Sequence, residues 1–197
     1  MYTIRPIFHG VFIDFDKSLF TYKQDPGVKI DVPLVSYLVE GDGLTVLVDA
    51  GPPNPELAKG MTHRKVERAT FLKEELQKMG VETEQIDFII LTHLHWDHSY
   101  NLELFPDVPI YVQKRELQYA VAPLPSDSVP YCYDPRNGKP SWFTGFQQMR
   151  VVDGDMEVAP GISLALLPGH TPGIQGVRVE TEEGVYLIAS DTYPLYE

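Results

Sequence analysis

Residues 4–13 are apolar with alternation and predict a first strand. The charged stretch 14–31, broken by Pro26-Gly27, predicts a loop or flap. Residues 34–39 and 44–49 predict two strands joined across Gly41-Asp42-Gly43 as a hairpin, and Pro52-Pro53-Asn54-Pro55 predicts a loop. Ala69, Leu72, Leu76 and Met79 recur at helical spacing, with Gly80 where a C-terminal cap belongs, so the spacing predicts a helix over 64–79. The unbroken apolar run at 87–91 predicts a buried strand, followed by a strand at 109–112 and a short helix at 114–122. From there to residue 148 the chain is rich in Pro and aromatics, among them Tyr131, Tyr133, Trp142, Phe143 and Phe146. Residues 151–157 and 162–167 predict a hairpin region, and 176–179 with 185–189 another pair around Glu182-Glu183-Gly184. Hairpins, a crossover helix and buried strands together predict a layered α/β domain.

Composition narrows the class. The chain has 197 residues, 43% hydrophobic and 22% charged, enough for one core and expected to form a single domain over 1–197. No apolar run approaches the roughly 18–20 residues that span a bilayer, so no membrane is expected as a partner. The start of the chain lacks the features of a secretory signal, and with one cysteine, Cys132, the expected compartment is the cytoplasm. Cys132 has no histidine near it in sequence and is not expected to act as a nucleophile. A formal net charge of −12 opposes nucleic-acid binding, which relies on neutralised phosphates. A small molecule is the expected partner.

The candidate chemistry lies at Thr92-His93-Leu94-His95-Trp96-Asp97-His98, directly after the buried strand. Three of the six histidines and an Asp fall together there, the ligand types that suit zinc and similar ions. His93 and His95 are two apart and can point the same way on an extended segment. Two later segments join them: Pro168-Gly169-His170-Thr171-Pro172-Gly173, a stiff turn, and Ala189-Ser190-Asp191-Thr192 at a strand end. Taken singly, His170 is a turn residue and Asp191 a strand-end cap. His9 and His63 have no partner motif.

These segments resemble the signature of the metallo-β-lactamase superfamily. The resemblance spans roughly residues 34–192 and implies an αββα four-layer sandwich with the metal site along one edge of two facing sheets. It implies two divalent ions: His93, His95 and His170 on the first, Asp97 and His98 on the second, and Asp191 bridging. Zinc is the expected metal, with manganese, iron or cobalt also suited to His and Asp. Asp49 is implied to support the site from behind the ligands. The implied reaction is hydrolysis by a hydroxide shared between the ions, with Asp97 as proton shuttle to the leaving group. One departure stands out. The family supplies a further His to the second metal from a segment well beyond the bridging Asp, and this sequence ends six residues after Asp191. On that reading the C-terminal strand and helix of the sandwich are lacking and the second site is weakened.

Within the superfamily the chain is most similar to N-acyl-homoserine lactonases, on His93–His98 followed by Asn101-Leu102, Phe105-Pro106, Ile110-Tyr111-Val112-Gln113 and residues 154–162 leading to His170. That branch implies opening of a lactone ring, with quorum quenching as the role and a homodimer possible. It often carries a Tyr after the bridging Asp; here Tyr193 stands two residues on and is a candidate for the substrate oxyanion. The aromatic stretch 119–146 is either an acyl-chain wall or packing. Alternatives are a glyoxalase-II-like thioester hydrolase, against which no basic cluster for glutathione stands out, and a non-catalytic metal-binding domain. A di-iron oxygen-handling protein is disfavoured because that branch prefers a carboxylate at position 95.

Overall fold

A computed structural model of the chain describes residues 1–62, 65–67, 70–131, 133–134, 138–193 and 195. His63, Arg64, Ala69 and Cys132 lie outside the described residues. Two long strands open the chain, β1 (Tyr2–Asp16) and β2 (Lys29–Gly41), paired antiparallel. The expected flap is therefore shorter, with only residues 17–28 between them. Then follow β3 (Leu44–Val48), α1 (Pro55–Met61), β4 (Lys65–Glu67), α2 (Leu72–Lys78) and β5 (Phe88–Ile90). The chain continues through β6 (Ile110–Gln113), α3 (Lys114–Val121), a short hairpin of β7 (Tyr133–Asp134) and β8 (Lys139–Pro140), and β9 (Met149–Val152). It ends with β10 (Met156–Ala159), β11 (Ile162–Leu166), β12 (Gln175–Thr181) and β13 (Gly184–Ile188).

A seven-stranded sheet runs β4-β1-β2-β3-β5-β6-β9, and a four-stranded antiparallel sheet runs β10-β11-β12-β13. Strand alternation divides the core between two faces. Val39, Val46, Val48, Phe88 and Ile90 meet Ile162, Leu164, Val177 and Val179 between the sheets. Their neighbours Leu38, Leu47, Ile89, Ile110 and Val112 face the other way and bury Leu72 and Leu76 of α2 and Ala120 of α3. Burying such aliphatic side chains contributes about 1.5–3 kcal/mol each. The result is the mixed α/β layering expected, with facing sheets and helices against the larger one. The edge strand β13 exposes Val185, Tyr186 and Leu187.

Two expectations are corrected and one is extended. The helix expected over 64–79 is only Leu72–Lys78; Lys65–Glu67 pairs antiparallel with Val11–Ile13 of β1, because an open strand edge competes successfully with weak helical periodicity. The loop expected over Pro52-Pro53-Asn54-Pro55 is present at 52–54 and passes at Pro55 into α1, an element not expected, capped by Asn54, whose side chain accepts from Leu57 N–H. The strand expected over 151–157 is two strands in different sheets, separated at Asp153-Gly154-Asp155, where Gly154 takes φ 95°.

His9 on β1 is fully buried; its Nε2 lies 2.9 Å from Ser36 Oγ, and a Cβ on Gly51 would stand 2.6 Å from that same atom. Burial lowers its pKa from 6.5 to about 4. The folded value is below the unfolded one, so between them the unfolded chain binds the extra proton. The stability this neutral ring supplies is complete above about pH 6.5 and is lost as pH falls toward about 4, roughly 3 kcal/mol in full. Urea unfolding of His9→Gln beside the wild type should show their stability gap narrowing by about that amount between neutral and acid pH. A gap independent of pH would refute this.

Candidate metal centre

The site forms where parallel strands end, the usual position for ligands on such sheets. β3 and β5 are parallel neighbours, and each is followed at once by a polar turn. Asp49 after β3 adopts a left-handed φ of 64°, and Ala50 N–H donates to His98 C=O at 2.7 Å. Ser190, before Asp191, is also left-handed, with φ 48°. Strained non-glycine residues of this kind concentrate at functional sites. The turn carrying His170 joins β11 to β12, and Gln175 N–H donates to Thr92 C=O at 2.9 Å, tying that turn to the 92–98 segment.

Four imidazoles converge. The ring of His93 lies 4.4 Å from that of His95, 4.1 Å from His98 and 5.0 Å from His170, centre to centre. Two groups have their ligand atoms within 4.8 Å of one another: His93, His95 and His170, and His93, His98 and Asp191. Asp191 reaches across, with Oδ2 3.3 Å from His170 Nε2 and Oδ1 3.5 Å from His98 Nε2. Asp97 stands beside them, Oδ2 3.7 Å from His98 Nε2. His93 is fully buried, and its Nε2 has no hydrogen-bond partner among the described residues. A buried ring nitrogen aimed at three imidazoles and a carboxylate fits a cation acceptor and little else.

A family model described as the metallo-beta-lactamase superfamily matches residues 31–195. The chain belongs to that superfamily. An N-acyl homoserine lactonase from a Bacillus species is 32% identical over 187 residues, covering 89% of this chain and 70% of the relative. N-acyl homoserine lactonase AiiB of Agrobacterium fabrum is 28% identical over 198 residues, with the same shares covered. A solved N-acyl homoserine lactone hydrolase, with the product N-hexanoyl-L-homoserine at its catalytic metal center, superposes with a TM-score of 0.75 at 27% identity, covering 93% of this chain and 73% of that one.

In this superfamily member the electrostatics are set by burial and by carboxylates. Burial, then the neighbouring imidazoles, hold His93 and His95 well below the usual histidine range. Burial would also lower His98, but Asp191, Asp97 and Asp49 outweigh it and hold His98 well above that range. Burial raises Asp97. Burial would raise Asp191 too, but His98 and then His170 bring it down.

Asp49, also buried, organises the segment from behind. Its Oδ1 accepts from Thr92 N–H at 2.7 Å; its Oδ2 accepts from Thr92 Oγ1 and from His98 Nδ1, both at 2.8 Å. With its proton committed to Asp49, Thr92 Oγ1 accepts from His93 Nδ1 at 3.1 Å, which leaves the His93 Nε2 lone pair facing the cluster. The structure therefore brings together His93, His95, His98, His170 and Asp191, with Asp97 at the margin. Tyr193, two residues past Asp191, is 71% exposed. His9 takes no part in either cluster. Sequence reasoning missed Glu116 and the role of Tyr131. Tyr131 donates to Glu116 at 2.7 Å, lies 4.6 Å from the His95 ring, and is held well above the usual phenol range by burial and then by the Glu116 charge. No linear spacing signals either residue.

Proposed function

We propose that this chain is a metal-dependent hydrolase that opens the lactone ring of N-acyl homoserine lactones, the reading to which its lactonase relatives point. The observation that carries it is the buried, unpartnered Nε2 of His93 at the meeting point of His95, His98, His170 and Asp191. His93, His95 and His170 would hold one divalent ion, His98 and Asp97 a second, with Asp191 between them. Zinc suits this donor set, and manganese, iron and cobalt are accepted by the same atoms. When bound, such ions supply a water of lowered pKa and a Lewis acid for the ring carbonyl. The chain's own residues do the rest. Asp49 and Thr92 fix the tautomers of His98 and His93. Asp97, its carboxyl raised by burial, would take up the proton released by the attacking water and hand it to the ring oxygen as that oxygen leaves. Tyr193, exposed beside Asp191, can turn its hydroxyl to the carbonyl oxygen of an incoming ring.

In the 119–146 stretch the two readings, packing and an acyl-chain wall, fall to different residues. Trp142 there is buried in the core, while Phe143 and Phe146 stack as a half-exposed pair. The rings nearest the metal segment offer no such surface: Trp96 packs against Phe12 at 5.8 Å, and both are buried in a core cluster with Leu34, Met61 and Tyr100.

Zinc-loaded protein should hydrolyse N-hexanoyl homoserine lactone with a kcat/KM on the order of 10⁴ M⁻¹s⁻¹ or more, measured by acid release. Chelation should abolish the activity and added metal restore it. Turnover of an S-acyl glutathione without turnover of the lactone would move the site to the thioesterases. Tight metal binding with no hydrolysis of lactone, ester or thioester would leave a binding domain.

A further inference from the structure

Glu116 lies on α3 and is fully buried, an expensive place for a carboxyl unless donors surround it. Three do. Leu94 N–H donates to Oε1 at 2.9 Å, the Tyr131 hydroxyl donates to the same oxygen at 2.7 Å, and the Thr171 hydroxyl donates to Oε2 at 2.5 Å. Leu94 stands between His93 and His95, Tyr131 packs its ring edge on His95, and Thr171 follows His170. Each imidazole of one ligand group is thus a single residue or a single ring contact away from one carboxyl. These three donors come from distant parts of the chain, so nothing local explains why they meet.

The platform beneath Glu116 is stiff. β6 passes directly into α3, and Gln113 at that junction donates to Gln175 Oε1 at 2.9 Å and accepts from Gly154 N–H at 3.0 Å. The His170 turn lies flat on the start of α3: a Cβ at Gly173 would stand 2.1 Å from Glu116 N and 2.5 Å from its Cα. On the other side Asp49 holds His98 Nδ1 directly, and it touches the first group only through the Thr92 hydroxyl on His93.

We propose that Glu116 is a positioning residue that fixes the His93, His95 and His170 group through one carboxyl, leaving the His98 side to Asp49. This rests on the metal-site reading above. It predicts that the two braces are separable. Residues supporting metal ligands typically contribute 10–100-fold in affinity, so loss of Glu116 removes that factor from one ion and not from both.

The test is cobalt(II) titration of metal-free protein, followed by visible absorption and by competition with a chromophoric chelator. His170→Ala identifies the equivalent that belongs to the first group. Glu116→Ala should weaken that same equivalent by about 10–100-fold and alter its absorption band, with any other equivalent unchanged. Glu116→Gln keeps an acceptor for Leu94 and Tyr131 and can donate to the Thr171 hydroxyl, so it should recover most of the affinity. Thr171→Val should show a smaller loss of the same equivalent, and it decides the question if Glu116→Ala does not fold. The proposal is overturned if the equivalent lost in His170→Ala binds normally in these variants. It is also overturned if all binding falls together in step with metal-free stability in urea. A wild-type protein that binds no cobalt would instead overturn the functional reading itself.

Discussion

Replacing His93 by alanine will strip the ion assigned to His93, His95 and His170 and reduce the proposed lactone hydrolysis on the order of a thousandfold or more, because chemistry that depends on a water of strongly lowered pKa reverts toward that of ordinary water. The His93 Nε2 lies among the ligand atoms of both clusters, while the proposed assignment gives it to the first ion and shares Asp191. The same substitution should harm the fold far less than the activity. A cavity is left, but a buried ring nitrogen without a partner is removed, and such an atom costs about 1–3 kcal/mol. Elemental analysis, initial rates and urea unfolding of the metal-free protein measure the three quantities. An alanine variant that keeps wild-type metal content and rate would remove the basis for the proposed site.

Asp49 should behave in the opposite way. Asp49→Ala leaves Thr92 N–H, the Thr92 hydroxyl and His98 Nδ1 without their acceptor in a buried setting. It also places alanine at φ 64°, a conformation that L-residues with a Cβ resist by about 1–2 kcal/mol unless a short polar side chain assists. The combined loss is about 3–5 kcal/mol, a large part of a typical domain's stability. Asp49→Asn tolerates the same backbone and still accepts from Thr92, so it should retain most of the stability. It loses the carboxylate that orients His98, and the affinity on that side should fall about 10–100-fold. Metal-free urea unfolding and cobalt titration separate the two outcomes. Equal stability of the alanine and asparagine variants would show that Asp49 does not hold the segment together.

Much of the larger sheet was legible because strand periodicity is local. The alternation at residues 34–39 and 44–49 and the apolar run at 87–91 needed no tertiary information. The ligand segment was legible for a related reason: His93, His95, Asp97 and His98 are near neighbours in the chain, and a strand end can bring them together without help. α1 was signalled as well, by Asn54 before Pro55, but the neighbouring prolines point equally to a loop. The misassigned helix over 64–79 shows where local pattern fails. Its first residues found hydrogen bonds on the edge of β1, a choice that depends on a strand more than fifty positions away.

By itself, then, the sequence determined which residues could bind a metal and which strands could carry them, because both depend on side-chain type and short spacing. Only the tertiary structure decided that Asp49, Thr92 and His93 form one chain of hydrogen bonds. It alone placed Glu116 beneath Leu94, Tyr131 and Thr171. Those relations join residues far apart in sequence, and they exist only once the sheets have packed and excluded water from the groups between them.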